Sequence, residues 1–69
     1  MKKHPLRAYR ESKGITAAQL ALRLNVSRST ILRWENHQRK ISTDLLEHVY
    51  KQTGVSKYLL RPDLMRLFR

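Results

Sequence analysis

Cysteine is absent from this 69-residue chain, so neither a disulfide framework nor a thiolate metal site can supplement its core. Acidic residues are scarce, with five Asp and Glu against fifteen Lys and Arg. Apolar runs never exceed three residues, far short of the roughly 20 that cross a bilayer. The opening MKKHPLRAYR carries charge but no apolar stretch of the kind a secretory signal needs, so cytoplasmic residence is expected. Strand-like alternation, internal repeats, low-complexity tracts and linkers are all missing. His4, His37 and His48 are too scattered to suggest catalysis or a metal site, and no nucleophile–base set or phosphate-cradling glycine loop occurs. No enzyme, no cofactor and no small-molecule ligand is therefore expected.

What remains is basic and mostly helical in pattern. The net charge of +10 and the pI near 11 give a field that attracts polyanions, of which nucleic acid and anionic membrane are the obvious two. A hydrophobic content of 41% is too high for a disordered basic tail, and the cations run from Lys2 to Arg69 without gathering in one arm. Sixty-nine residues allow a single domain, 1–69, with a core barely large enough to fold unaided.

The punctuation predicts five short helices. Pro5 suits the first helical position and Gly14 a left-handed cap, which frames residues 5–13, with Leu6 and Tyr9 on the core face. Thr16 caps a second helix, Ala17 to Leu24, whose apolar stripe is Ala17, Leu20, Ala21 and Leu24; Leu22 points away. Asn25 tolerates the positive φ of a tight turn, Val26 plugs the corner, and Ser27 caps a third helix from Arg28 to about Asn36. His37 to Lys40 form a basic loop and Ile41 re-enters the core. Ser42 or Thr43 then begins a fourth helix that ends at Gly54, with Leu45, Leu46, Val49 and Tyr50 as its buried stripe. Ser56 caps a short fifth helix, KYLLR, which Pro62 ends, and PDLMRLFR adds a helical turn.

The third helix has an unusual outer face. With about 100° between successive residues, Thr30, Ile31 and Trp34 fall on one arc and belong inside. Arg28, Ser29, Leu32, Arg33 and Asn36 share the other. Helix, small-residue turn and helix, with Ala21 at the contact and Val26 at the corner, follow the residue logic of a DNA-binding helix-turn-helix. The outer face of its second helix must stay free to enter a major groove about 12 Å wide.

Residues 17–36 resemble the helix-turn-helix of the lambda-repressor-like family, which includes the phage Cro and CI repressors. Leu20, Ala21, Val26, Ile31 and Trp34 match, followed by Glu35-Asn36, and the five-helix arrangement extends the likeness over residues 5–60 or so. VSKYLLRPDL also looks like the end of Cro-like prophage regulators. The resemblance implies an all-α, lambda-repressor-like domain that reads double-stranded operator DNA through the helix at 28–36. It implies base contacts from Arg28, Ser29, Leu32 and Arg33. Arginine can hold guanine O6 and N7 bidentately, and Leu32 is either a thymine-methyl contact or a plain surface leucine. Phosphate contacts are implied for Ser27, for Asn36, Gln38, Arg39 and Lys40 after the recognition helix, and for the backbone N–H of Ala17. Arg39 has a second reading, insertion into a narrow minor groove. Arg10 and Glu35 match positions that form a buried ion pair in several phage repressors.

Two departures from the family pattern stand out. Asn25 replaces the usual turn glycine, and Ala17 replaces a common glutamine whose side chain touches phosphate; Gln19 lies close by. Few base contacts per domain imply a homodimer on a pseudo-palindrome. Residues 55–69 are the candidate dimerisation segment, because Tyr58, Leu59, Leu64, Met65, Leu67 and Phe68 exceed what one small core can bury. Tyr50, Tyr58 and Phe68 suit core or interface better than base stacking. An antitoxin-like protein that binds a toxin and represses its own operon is the alternative, with the apolar C-terminal surface taking the toxin. A membrane-active cationic peptide is a third reading, at odds with helix faces matched to a compact core.

Overall fold

Five helices form where the caps and breakers place them. The computed structural model describes residues 3–64, among which the chain is all-α: α1 Pro5–Lys13, α2 Ala17–Leu24, α3 Arg28–Glu35, α4 Thr43–Thr53 and α5 Lys57–Leu60, with one 3₁₀ turn at 62–64.

Helix starts need acceptors for their free N–H groups. In α2, Thr16 Oγ1 accepts from Gln19 N at 3.1 Å while Gln19 Oε1 accepts from Thr16 N at 2.8 Å, a reciprocal capping box. Ser27 Oγ accepts from Thr30 N at 3.1 Å and Ser56 Oγ from Tyr58 N at 3.1 Å. α1 uses an acceptor the sequence did not advertise, because His4 Nδ1 accepts from Leu6 N at 3.1 Å. Ser42 precedes α4 but its hydroxyl makes no cap bond.

Helix ends close by the same device three times: a left-handed residue whose N–H and following N–H return to the last turn. After α1, Gly14 bonds Glu11 O and Ile15 bonds Arg10 O. After α2, Asn25 (φ 57°) bonds Leu22 O and Val26 bonds Ala21 O, so asparagine holds a left-handed conformation that glycine adopts at less cost. After α3, His37 (φ 59°) bonds Trp34 O and Gln38 bonds Arg33 O. That third closure extends α3 into the loop that follows it.

The core joins all five helices. Leu6, Leu20, Leu24, Ile31, Trp34, Ile41 and Val49 are fully buried, and Ala21 lets α2 and α3 approach closely. Leu22 stands exposed, as its phase requires. Val26 and Leu45 are half-buried, lining the core's edge instead of filling its centre. Tyr50, expected in the buried stripe of α4, is 42% exposed. It lies at the rim of the sector marked by Leu46, Val49 and Thr53, and its ring lies under the Lys57 ammonium at 5.5 Å.

The C-terminal segment divides. Leu60 and Leu64 pack on the protein's own core, while Tyr58 and Leu59 remain exposed. Met65, Leu67 and Phe68 lie outside the described residues. Arg61 ties this end to the loop before α4: its Nη1 donates to Ile41 O at 2.6 Å, while Nε and Nη2 hold both Asp63 oxygens at 3.0 and 2.9 Å. The Arg61 guanidinium, with help from Lys40, holds the Asp63 carboxyl far below the usual carboxylate range.

Replacing Thr16 with alanine removes one half of the capping box and strands the Gln19 N–H. The expected cost is about 1 kcal/mol, a measurable fraction of the roughly 3–10 kcal/mol that a domain this size holds. Urea unfolding of Thr16→Ala beside Ala18→Gly, which touches no cap, separates the cap from general helix weakening.

Candidate nucleic-acid interface

α3 is held from below by three side chains. Ile31 and Trp34 are buried in the core, and Glu35 is buried against α1. Arg10 Nε and Nη2 donate to Glu35 Oε2 and Oε1, both at 2.9 Å, and Arg10 Nη1 reaches Ile15 O at 3.5 Å. This two-pronged contact fixes the rotation of α3 about its axis, because a planar fork accepts a carboxylate in few orientations. It also raises the Arg10 pKa above its ordinary value, chiefly through the hydrogen bond to Glu35. The expected buried ion pair is present, and the acid beside the outer face has a structural role.

The outer face of α3 then carries Arg28, Ser29 and Arg33, all exposed, with Asn36 exposed at its end. Leu32 is a correction to the helical-wheel reading. It is half-buried and packs against the core, so its apolarity is explained without a ligand. The buried arc of α3 is wider than expected because α1 and α2 flank it, leaving a narrower polar strip.

The expected phosphate contacts fall into three settings. Ser27, Arg39 and Lys40 line a single hollow of about 300 Å³ together with Thr30 and Ser42. Ser27 Oγ both caps α3 and bonds Thr30 Oγ1 at 2.8 Å. Lys40 Nζ lies 3.4 Å from Asp63, an exposed pair that a competing anion can exchange at little cost. Gln38 and Asn36 are exposed on the closing turn of α3, their backbone N–H groups already bonded to Arg33 O and Leu32 O. Ala17 is buried and its side chain has no donor, so its backbone amide in the first turn of α2 is the only group it has for a phosphate. Gln19, the nearby candidate, is engaged in the capping box.

Sequence reasoning missed two groups here. Ser42 was legible only as a cap, yet its hydroxyl caps nothing and borders the hollow. Thr30, assigned to the interior, is half-buried and lines the same hollow. The histidines are also less scattered in space than in sequence. His4 and His37 rings stand 5.4 Å apart, tilted by 56°, and His48 Nε2 lies 3.0 Å from Leu24 O, joining α4 to the end of α2. Among the described residues no three potential ligands gather to hold a metal ion, and no helix is long and apolar enough to cross a membrane.

An exposed cationic strip on the second helix of a tight helix-turn-helix, with basic residues beside it on the following loop, is an arrangement suited to duplex DNA. Comparison with curated proteins and with solved structures returned no match. The family model described as Helix-turn-helix matches residues 6–59, most of the chain. This protein belongs to the lambda-repressor-like helix-turn-helix family of DNA-binding transcription regulators.

Proposed function

We propose that this protein is a Cro-type repressor of phage or prophage character that reads a specific operator through the outer face of α3. The observation that carries the reading is the exposed set Arg28, Ser29 and Arg33 on a helix whose rotation is fixed by Glu35. Arg28 and Arg33 contact guanine edges in the major groove, Ser29 a base edge between them, and Leu32 lends only its outer atoms. Ser27, Asn36, Gln38, Arg39, Lys40 and the Ala17 amide grip phosphates, with the Ser42 hydroxyl added to them. Occupancy of the operator excludes polymerase without any chemistry by the protein itself.

One domain supplies few base contacts, so two copies act on a pseudo-palindrome with half-sites roughly 34 Å apart. The pairing surface is the exposed part of residues 55–69, of which Tyr58 and Leu59 are the described apolar members. Selection from a random duplex library tests both parts. A single winning motif with inverted symmetry, bound two to one, is the expected result. An unsymmetrical site bound by one protomer defeats the dimer, and enrichment of no motif defeats sequence reading.

Arg39 gives a separate check, through salt. Arg39→Ala is expected to weaken binding equally on all sequences and to lower the slope of log affinity against log salt by about 1. A change confined to certain base pairs would place Arg39 in a groove instead.

A further inference from the structure

A cleft of about 350 Å³ opens between the start of α1, the loop after α3 and the turn after α5. Two imidazoles stand in its wall. His4 is buried and caps α1, its Nδ1 accepting from Leu6 N, so the ring is neutral with its proton on Nε2. His37 occupies the left-handed position that closes α3, where glycine or asparagine costs less backbone energy. Histidine there gives the loop something those residues lack: a ring against His4, with centroids 5.4 Å apart.

The N-terminus of α1 carries partial positive charge, and a proton on His4 Nδ1 removes the acceptor that caps it. We propose that the His4–His37 pair is a pH-sensitive latch that seats the phosphate-gripping loop 37–40 and releases it on acidification. The proposal rests on the assignment of that loop to DNA phosphates.

The surrounding charges sharpen the response. Glu35 of α3 attracts a charged His4, yet both its oxygens are held by Arg10 of α1. Arg39 and Lys40 of the loop line the cleft, and so do Arg61 and Asp63 beyond α5, which are paired with each other. Lys3, next to His4, is engaged by Glu11. The balance around the pair is positive. Burial first, and then the charge of His37, hold His4 below its ordinary value of 6.5. A lowered folded-state value means that the cap contributes fully above pH 6.5 and is lost as pH falls through the folded-state value.

Bulk electrostatics has the opposite sign. Protonated histidines add positive charge, which tightens binding to phosphate. The experiment measures the dissociation constant on the selected operator at fixed salt, from about pH 7.5 to about pH 5.5, the range in which histidine titrates. Wild type should weaken about tenfold, a change of about 1.4 kcal/mol in binding free energy. His4→Asn caps α1 without titrating and should tighten or stay level. His37→Gln, at an exposed position, should lose most of the acid weakening with the fold intact. Tightening of wild type in acid overturns the latch. So does equal weakening of His4→Asn.

The free protein gives an independent reading. In an NMR titration the amides of residues 37–40 should shift with the midpoint of the His4 ring, and should cease to do so in His4→Asn. Loop amides indifferent to His4 overturn the proposal. Coupled loop amides in a protein that binds no duplex at neutral pH would sustain the latch and dismiss the DNA assignment of the loop.

Discussion

Replacing Glu35 with alanine should destabilise the protein by about 3–5 kcal/mol, the cost of leaving a mostly buried charge without its partner. Arg10 is the stranded group, with 19% of its side chain exposed against 3% for Glu35. That residual exposure lets the guanidinium find some water, which places the loss toward the lower end. Against a total of roughly 3–10 kcal/mol the change is large enough to populate unfolded chain at room temperature. Replacing both partners, Arg10→Met with Glu35→Leu, should recover most of the loss, because apolar side chains of similar volume need no desolvation. Chemical unfolding of the two single variants and the double variant measures the coupling directly. A single-variant loss under about 1 kcal/mol would mark the pair as a surface-type bridge despite its burial. The DNA consequence is indirect. Under conditions where Glu35→Ala is folded, its affinity should fall only as far as α3 gains freedom to rotate.

Arg28→Ala and Arg33→Ala should each cost about 1–3 kcal/mol on the selected operator, the worth of one bidentate contact to guanine. In a two-fold complex each substitution acts in both half-sites, so the loss counts twice per complex. Both arginines are exposed and neither side chain has a partner among the described residues, so thermal stability should move by less than about 0.5 kcal/mol. Affinity and stability therefore separate cleanly here, whereas for Glu35 they travel together. Base preference decides the role. Relaxed preference at one position per variant identifies base reading; reduced affinity with unchanged preference reassigns the arginines to phosphates.

The helices were legible because their signals are local. Pro5, Thr16, Ser27, Gly14 and Gly54 each act on the nearest turn of backbone, and every helix the punctuation predicts is present. The turn at Asn25 was legible for the same reason, since a left-handed residue is a demand on one φ angle. Burial was less so. The wheel placed Leu32 outside and Tyr50 inside, and both lie at the boundary of their arcs. Periodicity fixes a side chain's direction, but how far the neighbouring helices reach over it is set by packing.

The candidate interface divides along the same line. Which side of α3 carries Arg28, Ser29 and Arg33 follows from helical phase, and the net charge narrows the partner to a polyanion. The amino-acid sequence by itself therefore determined the helices, the tight turn, the cationic strip and the family. Only the tertiary structure decided that Ser27, Arg39, Lys40 and Ser42 border one hollow, and that Arg61 anchors Ile41. Only it decided that His4 meets His37 across 33 residues of chain (37 − 4), since no pattern of spacing encodes that approach. The physical reason is range. Capping and phase act within one or two helical turns, while a pocket is made by groups that meet only when the core has closed.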